Sequence, residues 1–222
     1  MTTLFQNVDW ESMLLATQET IFMTIIAAVA TFVFGLILGL LLFLTSKDQL
    51  LENKVINTIL SAFINIFRSI PFIILIILLI PFTIFVLGTM LGAKAALPAL
   101  IIGAAPFYAR MVEIGLREID KGVIEAAKAM GASTFTIIMK VLIPEALPAI
   151  ISGITVTTIA IVGYTAMAGA VGGGGLGNLA YMEGYQRSNN QVTFVATVII
   201  LVIVFILQFI GDLVTTKIDK RS

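Results

Sequence analysis

EAAKAMGASTFTIIMKVLIP, residues Glu125 to Pro144, is a polar, helix-friendly stretch set between hydrophobic runs, and its spacing governs how the rest of the chain is read. Glu125 to Met130 has helix formers at every position and stops at Gly131, a residue common just past a helix end. Ser133 or Thr134 is placed to cap a second short helix, which is expected to end before Pro144. Two short helices with a bend between them would then be displayed in water below a membrane bundle. A rigid kinked finger of this kind is a lever that another protein can grip.

The flanking sequence supplies the membrane. Of 222 residues, 59% are hydrophobic and 12% charged, against roughly 25% charged in a soluble domain. Mean hydropathy is +1.09. Spans are expected at about 20–44, 57–86, 95–117, 145–169 and 191–213, each at or above the roughly 20 residues a bilayer core requires. The fold class expected is therefore all-α: a polytopic membrane protein with five transmembrane helices and a loop over 118–144 between spans three and four. Thirteen basic and thirteen acidic residues cancel, which argues against nucleic acid as a partner. No cysteine and no histidine occur, so thiolate metal sites, cysteine nucleophiles and the commonest general base are all missing. Neither a catalytic nor a metal site is expected. The first nineteen residues hold Asp9, Glu11 and Glu19 and no basic residue, unlike a secretory signal, so this end is expected to stay uncleaved.

Within the spans, a few residues break the apolar pattern. Gly35 and Gly39 stand four apart, a spacing that lets another helix approach closely. Arg68 falls inside the second run, three residues before Pro71. A central arginine costs about 2.5–3.5 kcal/mol on insertion scales, so it either faces a pathway or cavity, or snorkels to carbonyls freed by Pro71. The third run is interrupted by Pro106 and ends in Arg110, Glu113 and Arg117, charges that read as a helix leaving the bilayer. The fourth run is rich in Gly, Ala, Ser and Thr and belongs inside the bundle. On it Tyr164 and Met167 are the large residues, candidates for a gate, although a methionine filling a packing gap explains Met167 equally well. Gly172, Gly173, Gly174, Gly175 and Gly177 then form a loop with no following Gly-Lys-Ser/Thr, so it is no phosphate loop. A compact external loop, approached closely by a partner, is the preferred reading over a plain connector.

Charge sets the orientation. With the N-terminus outside, Lys47, Lys54, Arg68, Arg110, Arg117, Lys121, Lys128, Lys140, Lys217, Lys220 and Arg221 fall on the inner side. Only Lys94 and Arg187 fall outside, eleven cations against two. The Glu125–Pro144 loop is then cytoplasmic, the Gly-rich loop external and the C-terminal tail cytoplasmic.

The Glu-Ala-Ala, Gly131 and Val141-x-Ile143-Pro144 spacing resembles the coupling loop of ABC importer permeases, with conservative departures at Val141 and Ile143. NIFRSIPFIIL (Asn65–Leu75), GAAPFYARMVE (Gly103–Glu113) and VGYTAMAGAVGGGGLG (Val162–Gly177) are similar to the methionine branch of that family, a likeness running from about 17 to 211. The resemblance implies an external segment 1–16, a transmembrane domain 17–211 and a cytoplasmic tail 212–222 in a bacterial inner-membrane protein. It also implies a homodimer, two cytoplasmic ATP-binding subunits carrying ATP and Mg, an external methionine-binding lipoprotein, and membrane lipids around the permease. No cofactor is expected on this chain, which has no Walker-type lysine. Glu125, Ala126, Ala127, Met130, Gly131, Phe135 and Pro144 would couple to the ATPase; Arg68, Pro71, Pro106, Tyr164 and Met167 would line the pathway. The spans hold few groups able to clasp both amine and carboxylate, so affinity is expected mainly in the binding protein. Another amino acid or small metabolite as substrate remains open, as does a secondary transporter, which is disfavoured by the lack of acids in the apolar runs.

Overall fold

Asp9 starts the first helix: its carboxylate accepts from the Glu11 and Ser12 amides at 3.1 and 3.4 Å and from the Ser12 hydroxyl at 2.6 Å. The Ser12 hydroxyl and these amides hold the Asp9 carboxyl below its usual range. The structure, a computed structural model, describes residues 6–218. Positions 1–5 and 219–222, with the tail cations Lys220 and Arg221, lie outside the described residues.

From Asp9, α1 runs through Trp10–Leu44. The apolar pattern marked only residues 20–44, but the mixed stretch 10–19 before it is also helical because it is capped and packed. Met13 and Ala16 join Leu176, Val192, Val195 and Ala196 in one buried cluster. At 1.5 Å per residue α1 is about 52 Å long, well beyond a hydrocarbon core of roughly 30 Å.

The second run is not one helix. Helix α2 (Lys54–Ser69), capped by Asn53, is followed by α3 (Phe72–Leu78) and α4 (Ile80–Leu87). Helices α2 and α3 meet at 105°. The cause is local: Pro71 cannot donate an amide and forces the residue before it out of helical geometry, and Ile70 has ψ of 123°. The expected continuous span over 57–86 is thus corrected to a broken one, and Arg68 stands in the last turn before the break.

The remaining long helices are α5 (Ala93–Arg117), the helical stretch Thr134–Ala170 and α10 (Asn190–Ile218), each long and apolar enough to cross a membrane, as is α1. With the bent pair they make up to five spans. Helix α5 is central, packing on α1, α2 and α8 (Ile143–Ala170, the main part of the Thr134–Ala170 stretch). Gly35 and Gly39 are the reason α1 fits: a Cβ on Gly39 would stand 2.6 Å from Ala109 O and 2.7 Å from Val112 Cβ. On Gly35 it would stand 2.7 Å from the Tyr108 ring. The helix these glycines admit is therefore one of the chain's own. Tyr108 is fully buried, stacks on Phe32 and donates its hydroxyl to Ile150 O at 3.2 Å, joining α5 to α8.

Gly39→Val puts two methyls into a contact bounded by backbone. It should lower the unfolding midpoint of the detergent-solubilised protein, with a loss of about 1–3 kcal/mol or more. An unchanged midpoint would show that α1 and α5 do not need this contact.

Candidate functional site

The Glu125–Pro144 stretch forms the finger its sequence suggested. Helix α6 (Lys121–Ala129) is capped by Asp120, whose carboxylate accepts from the Gly122 amide at 2.6 Å. It ends at Gly131, with φ of +78°, where the Ala132 amide reaches back to Ala127 O at 3.1 Å and the Gly131 amide to Lys128 O at 2.9 Å. That is a left-handed helix end for which glycine is the default residue. Ser133, not Thr134, caps α7 (Thr134–Ile137), accepting from the Thr136 amide at 3.2 Å.

One expectation fails here. The second short helix does not stop before Pro144. It continues through a wide turn, Ile138–Leu142, into α8 (Ile143–Ala170). In that turn the Ile143 amide bonds Ile138 O, five residues back. The wider turn absorbs a proline that would clash with the carbonyl four residues earlier in a regular helix. The finger is therefore continuous with the fourth long helix.

Its residues divide into two faces. Ile124, Ala127, Ile137 and Leu142 are buried in one cluster with Val112 and Leu116 of α5 and with Phe43 of α1. Glu125, Ala126, Gly131 and Pro144 are exposed, and Met130 and Phe135 project furthest, at 81% and 72% exposure. Ala127 is thus a seat, whereas Met130 and Phe135 are the free apolar contacts.

The pathway candidates are not all together. Arg68 and Tyr164 line one cavity of about 240 Å³ at the α2–α3 break, with Phe67, Ile70, Phe72 and Phe107. Phe72 and Tyr164 stack with centroids 4.4 Å apart and planes 5° from parallel. Pro71 makes the break beside this cavity, Pro106 is buried within α5, and Met167 is half-exposed further along α8.

The glycine loop is occupied by the chain itself. The Gly175 amide donates to Glu19 Oε2 at 2.6 Å and the Leu176 amide to Thr20 Oγ1 at 2.8 Å, which locks the loop onto α1. The Gly92 amide bonds Gly172 O at 2.8 Å. Gly173, Gly174 and Gly175 are buried, and Gly172 and Gly177 partly so. After the short helix α9 (Gly175–Leu179), a wide-turn segment Ala180–Gln186 displays Tyr181, Met182 and Tyr185.

The ion pair that the Glu113–Arg117 spacing favours is present, as part of a network more buried than the sequence suggested. Glu113 is only 3% exposed and is held by both neighbouring arginines. Arg117 donates to its Oε1 through Nε and Nη2 at 2.9 and 2.8 Å, and Arg110 donates to its Oε2. Arg110 also donates to Asn65 Oδ1 at 3.3 Å, tying α5 to α2. The three- and four-residue spacings were visible in the sequence; the burial of Glu113 was not.

A bundle of long apolar helices with a capped finger seated by one face in its core, and a cavity at a broken span, is the architecture of a membrane transport subunit. The chain belongs to the family described as binding-protein-dependent transport system inner membrane component, which matches residues 46–221. It is therefore a multi-pass inner-membrane protein. It is 68% identical over 217 residues to the methionine import system permease protein MetP of Bacillus subtilis, covering 98% of both chains. A probable D-methionine transport system permease protein, MetI of Pasteurella multocida, is 50% identical, over 96% of this chain and 98% of that one. A solved inward-facing MetNI methionine ABC transporter superposes with a TM-score of 0.90 at 46% identity, over 91% of this chain and 94% of that one.

Glu113→Ala strands Arg110 and Arg117 and should cost about 1–3 kcal/mol, read as a lower thermal midpoint in detergent. Arg117→Ala, at a half-exposed side chain, should cost less than about 1 kcal/mol. Equal losses would mean that the Glu113 carboxylate is not the centre of the network.

Proposed function

We propose that this chain is the permease subunit of an ATP-driven importer of methionine, and that it works as a homodimer with two copies of a separate cytoplasmic ATP-binding subunit. The observation that carries this reading is the lever: Met130 and Phe135 stand free on a finger whose other face is seated in the bundle core. Names borne by relatives at 68% and 50% identity support methionine as the substrate. ATP and Mg belong to the partner, and an external methionine-binding lipoprotein would deliver the substrate.

The charge bias favours the finger on the cytoplasmic side, the N-terminus outside and the C-terminus inside. Residues 17–211 would form the transmembrane domain, with 1–16 external and 212–222 a cytoplasmic tail. Mechanically, ATP binding draws the two ATPases together and shifts both fingers. Each finger continues into α8 and packs on α5, so a shift at Met130 is delivered to two spans at once. Those spans tilt, and the path opens towards the binding protein; hydrolysis resets the inward-facing form. Tyr164 and Met167 travel with α8 and would form the moving wall of the path. The Gly172–Gly177 loop, clamped to α1, gives the binding protein a firm external base.

ATP-dependent methionine uptake by vesicles holding this protein, its ATPase and the binding protein tests the whole reading; ATP-independent, gradient-driven uptake would overturn it. Met130→Glu with Phe135→Glu should weaken ATPase association by about tenfold or more while leaving the permease's own thermal midpoint in place, since both side chains are exposed. Gly131→Val should uncouple transport and Gly131→Asn should retain most of it. No atom lies within 4 Å of a Cβ there, so only the left-handed backbone, which asparagine tolerates, is at issue. Normal uptake by the valine variant would count against the bend.

A further inference from the structure

The cavity at the α2–α3 break has an uneven chemistry. Its wall is aromatic and aliphatic, with Phe67, Ile70, Phe72, Phe107 and Tyr164, and its one charged side chain is Arg68. Among the described residues Arg68 forms no ion pair and no hydrogen bond, whereas Arg110, Arg117 and Arg187 each have a carboxylate. No carboxylate lines the cavity. It lies near mid-bundle: Phe107 belongs to the central part of α5, and Phe72 opens α3 just past the break. Arg68 is exposed and unpaired, so its guanidinium is free to meet an anion that enters the cavity. At about 240 Å³ the space is smaller than the roughly 300 Å³ at which drug-sized pockets begin, which suits a guest of amino-acid size.

We propose that this cavity is a transient site for the transported amino acid in transit, with Arg68 reading its carboxylate and the aromatic wall receiving its apolar side chain. The guanidinium supplies paired donors matched to a carboxylate. Thioether and alkyl chains are favourable against ring faces. The α-ammonium meets no acid and is left to the Phe72 and Tyr164 ring faces or to water. The site therefore selects one end of the substrate and holds it weakly. Pro71 creates it, because the turn it enforces brings Phe72 against Tyr164 of α8 while Arg68 stays on α2. This assignment rests on the importer reading above and names the residue that recognises the cargo inside the membrane.

The chain has no cysteine, so Ile70→Cys gives a single label site on the cavity wall. In the assembled permease–ATPase complex without binding protein, millimolar L-methionine should slow maleimide labelling of that cysteine by about threefold or more. 3-(Methylthio)propylamine, which lacks only the carboxylate, should not protect. Combining Ile70→Cys with Arg68→Gln should raise the methionine concentration needed for that protection by about tenfold, and Arg68→Lys should restore part of it. Equal protection by the amine, equal protection with Gln at position 68, or no protection in a complex whose parent imports methionine would each overturn the site. The amine comparison needs no change at Arg68, so it decides the matter even if the glutamine variant fails to assemble. A parent complex that imports no methionine instead sinks the substrate assignment, and this site with it.

Discussion

The lever can do work only because one of its faces is not free. Ile124 and Ala127 of α6 and Ile137 of α7 are sealed against Val112 and Leu116 of α5 and against Leu142 beside α8. Each fully buried aliphatic side chain contributes about 1.5–3 kcal/mol relative to exposure, so several together make the finger part of the bundle rather than a tethered loop. Met130 and Phe135 are thus carried on an element whose opposite face is packed into the bundle, as the proposed lever requires. The glycine bend sharpens the point: a fixed positive φ with its own backbone hydrogen bonds is stiff, and it sets the angle at which the two exposed apolar residues are presented.

The same seat explains why the finger must run into α8 without a stop. A lever ending in a flexible loop before Pro144 would move without moving the span behind it. Widening one turn, so that Ile143 bonds five residues back, keeps the backbone satisfied where proline removes a donor and threatens a clash. Proline near the start of a long span is thus compatible with stiffness. At Pro71 the opposite solution is used: with Ile70 extended, the helix turns by 105° and a cavity opens.

These two prolines show what a sequence does and does not disclose. The finger's bend was legible because glycine in the left-handed region and a serine cap are local, short-range chemistry. The membrane class was legible because uncharged apolar runs of span length are rarely tolerated in a chain that folds in water. The fate of each proline was not, since whether a chain breaks or widens depends on what packs around it. Gly35 and Gly39 announced a close helix contact but not its partner, which is Tyr108 and Ala109 of the same chain. Glu113 looked like an exit charge because its burial is conferred by helices far away in sequence. The glycine loop read as a compact element approached closely, but the bonds from the Gly175 and Leu176 amides to Glu19 and Thr20 of α1 were not legible. Nothing local pairs positions 156 residues apart.

A permease that must let go of its cargo in every cycle is constrained in how strongly it can grip. Passage requires a site attractive enough to enter and weak enough to leave. Two opposite charges placed to clasp both ends of a zwitterion would deepen the well and slow release. One cation facing an aromatic wall, as proposed for Arg68, would avoid that while still distinguishing an amino acid from an apolar solute. The buried carboxylate of Glu113 does not line the Arg68 cavity and is engaged by Arg110 and Arg117. The partition of the arginines follows: two are committed to holding α5 and its buried acid, one of them also bonding α2 at Asn65, and Arg68 is left facing the cavity. On the proposed reading, affinity would then reside in the delivering protein, and the membrane subunit would keep only enough chemistry to recognise what passes.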